Sequence, residues 1–211
     1  MHKEVKRGKR VIALERPVGA FIKRSFDIVA SLILISLALP LMIFCAVGVK
    51  ISLGSPIIFR QRRVGRHGRE FVMYKFRSMR AGKPSGFDGG SDRRKTRFGH
   101  FLRLTSLDEL PQLFNVLSGE MSIVGPRPEI PYYVEKFKKK IPNYMLKHHA
   151  KPGITGLAQV RGYRGDTSLT ARIKYDLFYI ENWSVWLDIK IMLMTPGRMI
   201  NRGEKYRREK K

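Results

Sequence analysis

The apolar residues of this chain are concentrated in one run, Ile28 to Val49, which contains no charged side chain. As a straight helix this run would be about 33 Å long, enough to cross the hydrocarbon core of a bilayer. Lysines and arginines flank it on both sides, and such residues tend to remain on the cytoplasmic side of a membrane. Both flanks therefore favour the same side, whereas a helix that crosses once separates them.

Pro40 allows a second interpretation of this run. Proline has no N–H, so the carbonyl of Ser36 loses its helical partner and the helix tends to kink. A helix broken at this point can enter and leave by the same face if its polar groups are satisfied locally, and the Ser36 hydroxyl is close enough in sequence to help. The pattern predicts either a re-entrant hairpin broken at Ser36 and Pro40 or a kinked single span, with no preference between them.

After the run, short apolar stretches at residues 57–59 and 71–74 enclose a Gly-containing turn at 65–68, which predicts a β-hairpin. Residues 81–97 are rich in Gly, Ser, Lys and Arg, which indicates a loop. From Leu107 to Leu117 the apolar spacing becomes helical.

Four further elements follow in the second half of the chain. The pattern predicts a short amphipathic helix at 131–140, a strand at 157–160, and two helices within 168–200 that are separated near 182–184. The last two helices carry several aromatic residues beside an apolar face. Core packing is the more frequent explanation for any single aromatic residue, but such a cluster in a chain with a membrane segment favours a protein resting at the headgroup level. The cluster is Tyr175, Phe178, Tyr179, Trp183 and Trp186.

These elements together predict a mainly helical α+β membrane protein with a small β-hairpin and interfacial amphipathic helices. We divide the chain into a basic arm (1–20), a membrane segment (21–50), a further folded domain (51–201) and a basic tail (202–211). The net charge of +25 indicates a polyanionic partner: nucleic acid, anionic lipid or a phosphorylated substrate. The single cysteine, Cys45, excludes an intramolecular disulfide framework and a thiolate metal cluster.

Two adjacent acids, Asp108 and Glu109, stand at a predicted helix start. Ser106 and Glu109 match a capping box, so the acids have a purely structural explanation. A helix N-terminus also attracts phosphate, and an ionised aspartate can attack phosphorus to form an acyl phosphate. Two anions that approach one another need a divalent cation between them, and Mg²⁺ bound by Asp108 and phosphate oxygens is the usual solution.

Basic residues near the acids suit a phosphorylated substrate. Arg127 lies on a stiff Gly-Pro-Arg-Pro loop, and arginine pairs bidentately with phosphate oxygens. Lys75, on the second hairpin strand, and Arg103, shortly before the acids, are further candidates for phosphate binding. Lys151 and Arg161 are weaker candidates, because a lone basic residue is usually a solvated surface charge.

Five stretches of the chain, in order, resemble a known family. They are Lys23-Arg24-Ser25-Phe26-Asp27, residues 74–79 (YKFRSM), residues 107–112 (LDELPQ), residues 122–128 (SIVGPRP) and residues 151–156 (KPGITG). The chain resembles the bacterial sugar transferases, that is, the monotopic polyprenol-phosphate phosphoglycosyl transferases, over roughly residues 20 to 200. It departs from many of them at the membrane break, where Leu39 precedes Pro40 in place of serine.

The resemblance implies transfer of a sugar 1-phosphate from a nucleotide diphosphosugar, commonly a UDP-sugar, to polyprenol (undecaprenyl) phosphate, as the first membrane step of glycan assembly. Asp108 would be the nucleophile, releasing UMP, and the lipid phosphate would then attack the phospho-aspartyl intermediate. Glu109 would assist by proton transfer or by positioning, Mg²⁺ would bind beside Asp108, and Lys75, Arg103 and Arg127 would contact phosphate. An enzyme of this kind needs its acids, its phosphate-binding loops and the UDP-sugar on the cytoplasmic side and at the membrane surface. The resemblance therefore favours a re-entrant membrane hairpin at 21–50, which binds the protein to one face of the membrane, and a cytoplasmic catalytic domain at 51–201. The expected location is the cytoplasmic face of the bacterial inner membrane, with membrane lipid and downstream glycosyltransferases as further partners.

Two functions from other classes compete with this one. The charge of +25 suits a membrane-anchored nucleic-acid-binding protein, but we find no recognisable nucleic-acid-binding module and expect no such partner. A non-catalytic scaffold of envelope assembly would never release UMP from a UDP-sugar.

Overall fold

The computed structural model describes residues 17–80, 82, 94–164 and 167–208, the last eleven of these by their helical backbone alone. Most of the predicted basic arm, most of the predicted loop at 81–97, and the end of the basic tail lie outside the described residues. Within them the protein is mainly helical with two small two-stranded sheets, so the predicted α+β class is confirmed.

The first helix, α1 (Pro17–Leu53), contains the whole apolar run and continues as one element past Pro40. Within the described part of the chain it is the one helix long and apolar enough to cross a membrane. Its buried face, which includes Cys45 and Val49, packs on Phe76 and Leu102. Much of the rest is exposed and apolar, as expected of a lipid-facing surface, and both Ser36 and Pro40 lie on the exposed part.

The predicted hairpin is confirmed and is longer than the apolar stretches indicated. Strands β1 (Ile58–Val64) and β2 (Glu70–Phe76) pair antiparallel, with Phe59 opposite Lys75. A one-turn 3₁₀ helix, Arg66–Gly68, forms the connection. Helix α2 (Arg97–Thr105) then begins inside the segment predicted as a loop, and the Thr96 hydroxyl caps it by accepting a hydrogen bond from the Gly99 N–H at 3.1 Å.

The segment predicted as one helix from Leu107 to Leu117 is divided into two. A 3₁₀ turn, Leu107–Glu109, precedes the short helix α3 (Gln112–Leu117), and strand β3 (Ser122–Val124) follows. Helix α4 (Pro131–Lys140) has the predicted bounds.

The strand predicted at 157–160 is wrong, because these residues form the single-turn helix α5 (Leu157–Val160). A 3₁₀ helix, Tyr144–His149, precedes this region. The strand of the region is β4 (Gly153–Thr155), directly before α5, and it pairs parallel with β3. Helices α6 (Leu169–Glu181) and α7 (Val185–Arg208) confirm the two predicted at the end of the chain. Their aromatic residues differ in exposure. Trp186 is 71% exposed, whereas Tyr179 is 1% exposed and belongs to the core.

A buried ionic network fastens the start of α1 to the rest of the fold. Lys23 Nζ lies 3.1 Å from Asp27 Oδ1 and 2.7 Å from Asp188 Oδ2. Asp27 Oδ1 also accepts hydrogen bonds from the Ser122 hydroxyl and the Ile123 N–H, at 3.0 and 3.1 Å. The polar residues that precede the apolar run therefore bind β3 and α7, and they fix the position of α1 relative to the rest of the fold.

Candidate active site

The site is built around Glu109, on the 3₁₀ turn between α2 and α3. Ser106 opens this turn in the left-handed conformation, at φ 56°, and its hydroxyl is buried without a hydrogen-bond partner among the described residues. The predicted capping box is therefore wrong. The Glu109 carboxylate is used for contacts with distant parts of the chain.

Three cations converge on one oxygen of that carboxylate. Glu109 Oε1 lies 2.9 Å from Lys75 Nζ, 3.3 Å from an Arg127 guanidinium nitrogen and 2.8 Å from an Arg164 guanidinium nitrogen. The structure thus brings together Lys75, Arg127 and Glu109, all three of which were candidates from the sequence. Arg164 was missed, since nothing in its local sequence distinguishes it from a surface arginine.

The charges around Glu109 keep it ionised. Burial alone would raise the pKa of Glu109, but the positive charges of Arg127, Lys75 and Arg164 outweigh burial and hold the pKa well below its usual value. A carboxylate in this state is a poor proton acceptor at neutral pH. Of the two roles expected for Glu109, positioning of charged groups therefore fits the site better than proton transfer.

Asp108 precedes Glu109 on the same turn and is 9% exposed. It lies close enough to Lys75 for its negative charge to act on the pKa of that lysine, which is lowered chiefly by burial. Lys75 thus forms an ion pair with Glu109 and is also within electrostatic reach of Asp108. Glu109 has three cations on one carboxylate oxygen, and Asp108 is its neighbour in the chain.

Arg103 differs from the other predicted phosphate contacts. It sits in the last turn of α2, and one guanidinium nitrogen lies 3.3 Å from the Met79 sulfur. Its described contacts do not include Glu109. Of the two weaker candidates, Arg161 is exposed beside α5, and Lys151 lines a different cavity.

Two interlocked loops hold Arg127 in place. The Gly125 N–H donates to the Thr155 carbonyl and the Gly153 N–H donates to the Pro126 carbonyl, each at 2.9 Å. The loops approach so closely that a Cβ on Gly125 would lie 2.4 Å from the Lys151 carbonyl oxygen. No side chain fits there, which explains the glycine and gives Arg127 a rigid base.

Asn115 on α3 supplies a second anchor, for Lys75. Its amide nitrogen donates to the Val72 carbonyl at 2.8 Å, and its oxygen accepts from the Tyr74 N–H at 3.0 Å. The fully buried Asn115 thus joins α3 to β2, next to Lys75. Asparagine within an apolar helix pattern has no distinctive local signal, so the role of Asn115 was not predictable from the sequence.

The residues fit a magnesium ion that is held mainly by its substrate. The described residues contain no group of three or more His, Cys, Asp or Glu side chains that could enclose a metal ion. Mg²⁺ is commonly held by one or two carboxylates together with substrate phosphates and water. Of the two acids, Asp108 would be the better ligand, since three cations already surround Glu109 Oε1.

Comparison with known proteins gives a consistent result. A family model described as bacterial sugar transferase matches residues 18–202. A UDP-glucose:undecaprenyl-phosphate glucose-1-phosphate transferase of Xanthomonas campestris pv. campestris is 53% identical over 175 residues, covering 79% of this chain and 36% of that protein.

Two further relatives resemble the chain over most of its length. A UDP-N-acetylgalactosamine-undecaprenyl-phosphate N-acetylgalactosaminephosphotransferase of Aeromonas hydrophila is 47% identical over 189 residues, covering 86% of this chain and 44% of that protein. A UDP-glucose:undecaprenyl-phosphate glucose-1-phosphate transferase of Caulobacter vibrioides is 42% identical over 192 residues, covering 87% of this chain and 72% of that protein. The chain thus spans less than half the length of the first two relatives.

Proposed function

The chain belongs to the bacterial sugar transferase family, and we propose that it transfers a sugar 1-phosphate from a UDP-sugar to undecaprenyl phosphate. Relatives named for glucose and for N-acetylgalactosamine resemble it to similar degrees, at 53% and 47% identity. The proposal therefore concerns the class of donor, a UDP-sugar, and the class of acceptor, a polyprenol phosphate.

The observation that carries this proposal is the convergence of Lys75, Arg127 and Arg164 beside the buried acids. A diphosphate substrate brings negative charge that must be neutralised as it approaches Asp108. Fixed guanidinium and ammonium groups supply that neutralisation without reorganisation, which is how sites of phosphoryl transfer stabilise charge.

The reaction would proceed in two displacements at phosphorus. An Asp108 carboxylate oxygen attacks the phosphorus that bears the sugar, the bond from that phosphorus to the bridging oxygen breaks, and UMP leaves. An oxygen of undecaprenyl phosphate then attacks the same phosphorus, and the bond to Asp108 breaks to give undecaprenyl-diphospho-sugar. Covalent catalysis of this kind divides one difficult step into two easier ones.

Glu109 and Arg103 would assist these two steps. Glu109 would hold Lys75, Arg127 and Arg164 where the substrate phosphates bind, and Arg103, at the end of α2, would be a further phosphate contact. When bound by Asp108 and the substrate diphosphate, Mg²⁺ would supply neutralisation of phosphate charge.

We further propose that α1 enters the membrane as a re-entrant element, with the catalytic region on the cytoplasmic face. The basic flanks of the apolar run support this placement, as does the large exposed apolar surface of α1. Single cysteines at positions 10 and 62, with Cys45 replaced, test it in sealed vesicles. Labelling from the same side is expected, and labelling from opposite sides would mean a single span.

The activity is tested with purified protein, Mg²⁺ and undecaprenyl phosphate, supplied with UDP-glucose, UDP-galactose or UDP-N-acetylgalactosamine in turn. We expect UMP release with at least one donor, and loss of that release when Mg²⁺ is chelated. A scaffold or a nucleic-acid-binding protein releases no UMP from any donor, so that outcome across a broad set of UDP-sugars would overturn the proposal.

A further inference from the structure

A basic cavity lies at the start of α1, apart from the Glu109 site. It has a volume of about 210 Å³ and is lined by Lys23, Arg24 and Asp27 of α1, together with Arg66, Ser122 and Lys151. A single water needs roughly 10–15 Å³ of such space, and pockets for drug-sized ligands measure roughly 300–1,000 Å³. The cavity therefore suits a small polyatomic ion with its waters and is too small for a nucleotide sugar.

Positive charge predominates in this cavity. Four of its lining residues are cationic, and Asp27 is the one carboxylate among them. That carboxylate is already engaged, because Asp27 Oδ1 accepts from Lys23, from the Ser122 hydroxyl and from the Ile123 N–H. The one carboxylate of the cavity is thus already paired with Lys23, which also forms an ion pair with Asp188.

Lys151 is one of the cavity's cations that form no ion pair among the described residues, although the negative charge of Asp27 acts on it. Among the described residues, nothing accepts a hydrogen bond from its ammonium group, although the side chain is half-buried. Burial lowers the pKa of Lys151, and the nearby charge of Arg24 lowers it further. Half-buried ammonium groups are costly unless an anion or water satisfies them.

Arg24 and Arg66 also line this cavity. Arg24 uses one hydrogen bond from each terminal nitrogen, to the Val116 and Leu117 carbonyls at 2.6 Å. Arg66 donates from Nε to the His149 carbonyl at 3.2 Å, and its two terminal nitrogens have no acceptor within the part of the chain that the structure describes. Arginine N–H groups that have no protein acceptor are suited to bind the oxygens of a phosphate group.

Arg24 and Lys151 meet next to Gly119. A Cβ built on this glycine would lie 3.5 Å from the Arg24 guanidinium and 3.5 Å from Lys151 Nζ, so the two cations lie within twice that distance of each other. Like charges this close repel, and an anion between them would remove the repulsion.

The cavity is distinct from the Glu109 site. The charged groups that act on Lys151 are Arg24, Asp27, Arg66 and Lys23, whereas those that act on Glu109 are Arg127, Lys75 and Arg164. The cavity also lies beside the polar start of α1, immediately before the apolar run. In a membrane-bound protein this is the level of the lipid headgroups.

We propose that this cavity is a second anion site that binds a phosphate group, carried either by inorganic phosphate or by the headgroup of an anionic phospholipid. Lys151, Arg66 and Arg24 supply the charge-assisted hydrogen bonds. The inference rests on the cavity's own residues and holds whether or not the chain catalyses the reaction proposed above.

The test is calorimetric titration of the full chain in a nonionic detergent. One arm uses inorganic phosphate, and the other uses short-chain phosphatidylglycerol, with short-chain phosphatidylcholine for comparison. Lys151→Met removes the unpaired charge, Lys151→Arg retains it, and Lys139→Met removes one charge from the exposed face of α4 as the matched control. Phosphate bound at the Glu109 site contributes equally to all variants and cancels in the comparison.

We expect Lys151→Met to weaken binding by about tenfold or more, which is the effect of losing one hydrogen bond to a charged group. Lys151→Arg and Lys139→Met should stay within about threefold of the wild type. Binding of phosphate alone identifies a soluble ion as the occupant, and tighter binding of phosphatidylglycerol that phosphate displaces identifies a headgroup; both support the site.

Equal binding by Lys151→Met and the wild type in both arms would overturn the proposal, and so would the absence of wild-type binding in both arms. Should Lys151→Met fail to fold, Arg66→Met tests the same cavity. Arg66 lies in the turn between β1 and β2, and its substitution should weaken binding by the same factor.

Discussion

Replacing Glu109 with glutamine tests the charge balance of the active site. The substitution retains the shape and an acceptor oxygen but removes the one negative charge that Lys75, Arg127 and Arg164 share. Those three side chains remain 15%, 24% and 27% exposed, so water compensates for part of the loss. Removing one partner of a fully buried ion pair costs about 3–5 kcal/mol, and we expect about 3 kcal/mol here.

For a chain of this size, that loss corresponds to a fall in Tm of about 6–12 °C. Thermal unfolding in detergent measures it, and Glu135→Gln is the matched control. Glu135 is 61% exposed and pairs with Lys138 on the surface of α4, so its substitution should cost less than about 1 kcal/mol. A double-mutant cycle with Lys75→Met should give a coupling energy of about 1–3 kcal/mol.

The same pair of proteins has a predictable pH dependence. Because the folded-state pKa of Glu109 lies below its unfolded value of 4.5, its stabilising contribution is fully present above that value and is lost as the pH falls below it. The difference in Tm between the wild type and Glu109→Gln should therefore be constant near neutral pH and shrink in acid. Equal Tm values for Glu109→Gln and Glu135→Gln at pH 7 would refute the reasoning.

Two further predictions concern buried groups outside the active site. Asp188→Asn removes the charge of a carboxylate that accepts hydrogen bonds from Lys23 at 2.7 Å and from the Tyr179 hydroxyl at 2.8 Å. The substitution should destabilise the protein by about 3 kcal/mol and speed proteolysis near the start of α1. An unchanged rate of digestion would contradict this. Burial and the charge of Lys147 lower the pKa of His148 to about 4, so NMR should find the imidazole neutral at pH 6.5, and a midpoint at or above 6.5 would contradict this.

Local sequence patterns were sufficient to predict those elements whose structure depends on residues close together in the chain. The hairpin at β1 and β2 follows from alternation around a glycine turn, and α4 follows from Pro131 at a helix start with four lysines on its wet face. The apolar run predicted α1, because no other conformation hides its backbone from lipid.

The wrong predictions are those where long-range contacts decide the outcome. Leu157 to Val160 is too short to show a period, and pairing of the preceding β4 with β3 leaves it to form a helical turn. Ser106 and Glu109 had the local signature of a capping box, but three cations from distant segments outcompete a single backbone N–H for the carboxylate.

Four residues of the candidate site were predictable from the sequence: the acids Asp108 and Glu109, and the cations Lys75 and Arg127. The role of Arg164 was not, because its contact with Glu109 joins residues 55 apart in sequence. The same holds for Lys23 and Asp188, whose pairing spans 165 residues. Only the folded arrangement of α1, α7 and the loop after α5 brings these charges together.

The central claim is that Asp108 is the nucleophile, and one measurement tests it most directly. UDP-sugar labelled at the phosphorus that bears the sugar is mixed with the protein and Mg²⁺ without acceptor lipid, and the label retained on denatured protein is counted. We predict that the wild type retains label and releases UMP, that undecaprenyl phosphate removes the label, and that Asp108→Asn retains none while folding normally. Label retained by Asp108→Asn, or UMP released by it at the wild-type rate, would contradict the account.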